Sequence, residues 1–227
     1  MGADSSGQLP LRLQLRDSAT FDNFHDEGNE LALQALRAGG GDSLYLWGPA
    51  GCGKSHLLQA ACHAAPGAVY LPLGGIAGAQ PAIFDGLEAI PVVAIDDLGL
   101  VAGAADWEAA LFHLYNRIRE AGGRLLLAAE GSPAALGFRL PDLVTRLGWG
   151  LVFRLQPLGD AGRRRALQLR ARHRGFELPD EVADYLLRRQ PRDMNSLFVL
   201  LERLDEASLA AQRRLTIPFV RGLLQRS

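Results

Sequence analysis

Lysine is almost missing from this chain. Of its 24 basic residues only Lys54 is a lysine, and arginine supplies every other positive charge. Cysteine is scarce too. Cys52 and Cys62 give neither a disulfide framework nor a zinc-binding spacing, and a reducing, cytoplasmic setting is expected. No apolar run approaches the length of a membrane span. The opening residues 1–7 lack the basic and apolar regions of a signal peptide, so no membrane association is expected. There is no internal repeat and no low-complexity tail. Apolar residues make up 48% of 227, ample for the core of one large domain or two small ones.

The net charge of −1 conceals an asymmetry. Residues 1–158 hold 10 basic and 16 acidic side chains, and residues 159–227 hold 14 and 9. A basic C-terminal part either meets nucleic acid or nucleotide phosphates, or is the solvated face of arginine-rich helices.

The lone lysine falls inside a motif. Gly48-Pro49-Ala50-Gly51-Cys52-Gly53-Lys54-Ser55 has the G-x-x-x-x-G-K-[ST] spacing of a phosphate-binding loop. The apolar run Ser43–Trp47 before it suits a buried strand, and His56–Cys62 after it suits a helix. The glycines let the backbone turn its N–H groups toward a phosphate chain, and the helix N-terminus adds partial positive charge. A compact ammonium serves such a cradle better than arginine's planar fork. Lys54 is expected to reach the β- and γ-phosphates, and Ser55 to hold Mg²⁺.

The segment Thr20–Phe24, ahead of an amphipathic helix from Asn29 to Arg37 with Asn29 as its N-cap, either covers the adenine face of a nucleotide or packs Phe21 and Phe24 into the core. A second strand is expected at Ala68–Pro72, then a short helix near Ala82–Leu87. Val92–Asp97 is an apolar strand ending in two carboxylates, the partner that a phosphate loop needs. Asp96 would hold Mg²⁺ and Asp97 would orient the attacking water. Trp107–Ile118 carries a helical apolar stripe at 107, 111, 114, 115 and 118, with His113 on the surface. Arg124–Glu130 is another buried strand, Leu140–Leu147 a short helix, and Val152–Leu155 the last strand. Pro157 and Gly159 mark a boundary. Beyond it helices are expected at about 160–173, 179–189, 193–210 and 216–225. The alternation predicts an α/β fold, a five-stranded parallel sheet flanked by helices with ligand at the strands' C-terminal ends, followed by a small all-helical lid. The divisions are 1–15, 16–158 and 159–227.

Before any long element stands Gln8-Leu9-Pro10-Leu11-Arg12-Leu13. Pro10 favours an extended backbone. Such a peptide either docks in an apolar groove of a partner or forms an edge strand.

With these stretches in place, the chain resembles the AAA+ family. Within that family it is similar to the DnaA-related regulators of the Hda group. The resemblance covers essentially the whole chain. It is carried by Thr20–Phe24, Gly48–His56, Asp96-Asp97, Trp107–Arg117, Leu140–Leu143 with Arg146, Gln168–Arg172 with Gly175–Pro179, and Leu215–Val220. It implies an adenine nucleotide, ADP or ATP, held by Gly48–His56. It casts Gln8, Leu9, Leu11 and Leu13 as contacts to the DNA polymerase sliding clamp (its beta subunit). It makes Arg146 an arginine finger offered to ATP on the initiator DnaA, and it makes a homodimer plausible. Departures from the family pattern accompany it. The family's sensor-2 arginine falls at Asn195, with Arg192 one turn away as a stand-in, and the sensor-1 strand ends in Ala128-Ala129-Glu130. Both departures fit a chain that keeps ADP, turns over little ATP itself and acts on a partner's. No helix-turn-helix follows the lid, so no direct sequence-specific DNA binding is expected. The rival readings are an autonomous AAA+ ATPase or helicase loader, and a non-enzymatic clamp–initiator adaptor.

Overall fold

Strands whose residues are apolar on both faces have to be covered on both faces, and that requirement sets the architecture. The computed structural model describes residues 19–39, 43–76, 78–189 and 194–225. The expected docking peptide Gln8–Leu13 and Arg192 lie outside them.

The strands are β1 (Leu44–Trp47), β2 (Val69–Pro72), β3 (Val92–Asp96), β4 (Arg124–Ala129) and β5 (Leu151–Arg154). They form one sheet in the order β2-β3-β4-β1-β5, with every neighbouring pair parallel. Side-chain alternation divides them between two cores. Tyr45, Leu71, Val93, Ile95, Leu125 and Leu127 face one side, with α3 (Ala105–Glu120) and α4 (Pro141–Leu147). Leu44, Leu46, Tyr70, Ala94, Leu126 and Ala128 face the other, with α1 (Glu30–Arg37) and α2 (Lys54–Ala64). β5 is an edge strand, and its Leu151 and Val152 are exposed.

Four further helices form a third core: α5 (Asp160–His173), α6 (Asp180–Arg189), α7 (Met194–Ala211) and α8 (Ile217–Leu224). Leu167, Val182, Leu186, Leu201, Leu204 and Val220 have no accessible surface there. Each buried leucine or valine of this kind contributes about 2 kcal/mol. Much of the positive charge of this lobe is paired locally. Arg163 bonds Asp160, Arg164 bonds Asp184, and Arg174 bonds Asp205 at 2.8 Å.

Two local expectations give way to tertiary structure. Residues 82–87 form 3₁₀ turns, Pro81–Phe84 and Leu87–Ala89, in place of a short helix. Gly86 separates them at φ +79°, a conformation that interrupts an α-helix. Asn29 precedes α1 but its side chain does not cap it. It reaches Gln156 instead, donating from Nδ2 to the carbonyl at 3.0 Å and accepting the N–H on Oδ1 at 2.8 Å. The other end of α1 is held by Arg124, which donates to the carbonyls of Leu36 (3.1 Å) and Ala35 (2.7 Å). A cation there also complements the helix dipole.

Candidate nucleotide site

The loop between β1 and α2 lies at the C-terminal edge of the sheet, where parallel α/β sheets bind ligands. Close approach dictates two of its glycines. A Cβ on Gly48 would stand 2.7 Å from the Leu155 carbonyl oxygen, and one on Gly53 would stand 2.6 Å from Phe24 Cε2. Gly53 also has φ +100°, which side chains rarely tolerate. Lys54 opens α2 and is buried. Its Nζ donates to the carbonyls of Gly48 (2.8 Å) and Pro49 (3.0 Å), so the loop curls around the ammonium. Burial raises the pKa of the neighbouring Cys52 thiol despite the Lys54 charge beside it.

A cavity of about 220 Å³ opens from this loop toward the helical lobe. The loop side contributes Gly51, Gly53, Lys54, Ser55 and His56, and the lid side contributes Arg170, Met194, Asn195 and Phe198. It runs into a more apolar recess walled by Phe24, Leu158 and Ala166. The residues suit an adenine nucleotide: the loop backbone, the Lys54 ammonium and the Arg170 guanidinium line one cavity, and apolar walls line the recess that adjoins it. Phe24 therefore lies against the loop, and with Phe21 it also packs on the core of that face of the sheet. His56 accounts for that placement. Its Nε2 lies 2.9 Å from the Thr20 carbonyl and its ring 5.5 Å from the Phe24 ring, pinning the flank to α2. Arg170, buried on α5, was not singled out from the sequence. Its place in an arginine-rich helix hid it. A hollow of about 270 Å³ beside Ser43 and Tyr115 lies at the opposite end of the strands, away from the loop.

The two carboxylates at the end of β3 differ. Asp96 is 1% exposed and Asp97 is exposed, with Asp97 in a left-handed conformation at φ +61°. Partial desolvation of its carboxyl by the surrounding protein and the neighbouring Asp96 charge raise the pKa of Asp97. Asp96, the carboxylate expected to hold Mg²⁺ with Ser55, has both oxygens hydrogen-bonded within the protein. The Tyr70 hydroxyl donates to Asp96 Oδ2 at 2.9 Å, and the Asp97 N–H donates to Oδ1 at 2.9 Å.

Arg146 is not brought to this loop. It rides on α4, which packs on the other face of the sheet from α2. Its guanidinium carbon stands 3.9 Å from the centre of the half-exposed Trp149 ring, and Arg119 approaches the same ring at 5.1 Å. Cation–π attraction holds such a pair. The chain entering α4 is anchored by Glu108, 1% exposed on α3. Its carboxylate accepts the N–H groups of Gly103 (2.7 Å), Arg139 (2.9 Å) and Leu140 (2.7 Å). Burial alone would raise its pKa, but these backbone donors together outweigh burial and hold it below the usual carboxylate value.

Sheet order, phosphate loop and helical lid define the AAA+ class of P-loop NTPase fold. Domain III of the replication initiation protein DnaA from Thermotoga maritima is 21% identical with a TM-score of 0.74, over 92% of this chain and 97% of that one. AMPPCP-bound DnaA from Aquifex aeolicus is 24% identical with a TM-score of 0.69, over 83% of this chain and 66% of that one. The RuvB Holliday junction branch migration motor of Thermotoga maritima is 18% identical with a TM-score of 0.62, over 88% of this chain and 67% of that one. At these identities the fold is what is shared. The lid is more particular: residues 160–224 match the family described as "Hda, lid domain". The chain thus resembles the Hda-like, DnaA-related AAA+ proteins. Among the described residues no helix is long and apolar enough to cross a membrane.

Proposed function

We infer that this chain is a cytoplasmic negative regulator of DNA replication initiation. It holds an adenine nucleotide, ADP in its working state, between the 48–55 loop and the lid. Gln8–Leu13 tethers it to the sliding clamp, and Arg146 enters the active site of ATP-bound DnaA to promote hydrolysis. The clamp raises the local concentration of the two partners without adding a contact between them. The observation that carries the reading is the pairing of an Hda-type lid with an arginine on α4, across the sheet from this chain's own loop helix. A cation in that position is of use to a neighbour's nucleotide. An arginine supplied in trans speeds phosphoryl transfer by roughly 10³–10⁵ in well-studied cases.

The test combines ATP-loaded DnaA, DNA-loaded clamp and this chain, with each omitted in turn. Arg146→Ala is expected to lose the stimulation, by about 10³ or more, while keeping nucleotide affinity and clamp binding. Retained stimulation would mean an adaptor. Brisk ATP turnover by the isolated chain would mean an autonomous ATPase.

A further inference from the structure

Asp96 is the carboxylate to which a nucleotide's divalent cation would turn, yet it does not line the cavity. Tyr70 does. The strand register builds this arrangement. Tyr70 pairs with Ala94, and Asp96 stands one pleat further along the same face. The small Ala94 leaves room for the ring to lean across to Asp96. The Tyr70 hydroxyl donates to Asp96 Oδ2 at 2.9 Å. Ser55 and Gln59 line the same cavity as the Tyr70 ring. The phenol thus stands on the cavity side of Asp96, in the lining it shares with Ser55, the other group that would hold the ion. The remaining carboxylate oxygen accepts the Asp97 N–H. A protonated phenol is a poor ligand for a hard cation, which favours carboxylate, carbonyl and water oxygens. Positive charge for the phosphates comes instead from Lys54 and Arg170, which line the same cavity, and from the N-terminus of α2.

Building on the nucleotide reading above, we propose that Tyr70 closes the Mg²⁺ site, so that this chain holds a nucleoside diphosphate without a divalent cation. The ion's role in binding passes to two side-chain cations. A carboxylate locked to a tyrosine leaves the chain's own centre short of the metal that phosphoryl transfer requires.

The experiment is an equilibrium titration of the full chain with a fluorescent ADP analogue, in excess EDTA and again in millimolar MgCl₂. The unaltered protein is expected to bind with the same affinity in both buffers, within twofold. Tyr70→Phe keeps the ring and removes the bond. It is expected to bind about tenfold or more tightly with Mg²⁺ than with EDTA, since one hydrogen bond to a charged acceptor is lost. Electron paramagnetic resonance of Mn²⁺ gives a second readout, one that tests the unaltered protein directly. The ADP complex of the unaltered protein should immobilise no Mn²⁺, whereas that of Tyr70→Phe should immobilise one ion. A tenfold gain from Mg²⁺ in the unaltered protein overturns the proposal, and so does Mn²⁺ bound to its ADP complex. A Tyr70→Phe variant that remains indifferent to metal removes Tyr70 as the cause. Absence of ADP binding in both buffers overturns the nucleotide reading itself, a result distinct from metal-dependent binding.

Discussion

Replacing Glu108 by Gln tests the anchor beneath Arg146. The side chain keeps its shape and loses its charge and one acceptor. In the native protein the two carboxylate oxygens take the N–H groups of Gly103, Arg139 and Leu140. Gln has a single carbonyl oxygen, and its NH₂ would face a buried N–H donor. An unpaired buried donor costs about 1–3 kcal/mol, and the bonds that remain lose their charge assistance. The sum is about 2–4 kcal/mol. For a chain of this length each kcal/mol moves the melting temperature by roughly 2–4 °C, so a fall of about 5–15 °C is expected at neutral pH. The pH dependence is a second check. The folded pKa of Glu108 lies below its ordinary 4.5. Its contribution to stability is therefore full above that value and is lost as pH falls through the folded pKa. The gap between variant and parent should stay constant from neutral pH down to about 5 and narrow only below the ordinary value of 4.5. Denaturant unfolding at a series of pH values measures it. A variant that melts within a degree of the parent at neutral pH, or a gap that does not narrow in acid, refutes the assignment.

Gly53→Ala sets a methyl group where Phe24 Cε2 stands, at a φ of +100°. Nucleotide affinity should fall about tenfold or more as loop and ring are driven apart, and calorimetry would show it. Unchanged affinity would place the base away from Phe24. Asn29→Ala releases both bonds to Gln156 and should cost about 1–2 kcal/mol, read as a lowered denaturation midpoint. An unaltered midpoint would mean that the Asn29–Gln156 bonds add nothing to stability.

The fold was legible because its signals are local. The apolar runs at Leu44–Trp47 and Arg124–Ala129 need only a count of residues, and the loop motif fixes the strand before it and the helix after it. The lid helices, expected at about 160–173, 179–189, 193–210 and 216–225, lie close to α5–α8. What stayed hidden depends on partners far along the chain. Glu108 was passed over because its stripe was read from Trp107, although it lies three residues before Leu111 and seven before Tyr115, on their apolar face. A lone carboxylate in that stripe was the available signal. Asn29 looked like a cap because caps are local, whereas its partner is 127 residues away. Tyr70 looked like one more strand aromatic, since nothing short of the register with β3 brings it to Asp96. Asp96 itself was found, but a sequence cannot say what already holds its oxygens.

The grip of Asn29 on Gln156 bears on how the molecule opens. β5 ends at Arg154 and α5 begins at Asp160. Leu155 is buried and bonded to Trp47, and Gln156 is clasped from the flank that also carries Phe24. Pro157 has a ring-locked φ and Leu158 packs toward the lid core. Gly159, with nothing within 4 Å of where a Cβ would stand, is the natural axle. A swing about that point would part the exposed Glu27–Arg165 pair and the contact of His173 with the Asp22 carbonyl, surface contacts of small worth, and would leave Phe24 beside the loop. On the nucleotide reading proposed above, release would be a matter of raising the four-helix lobe like a hatch over a fixed floor.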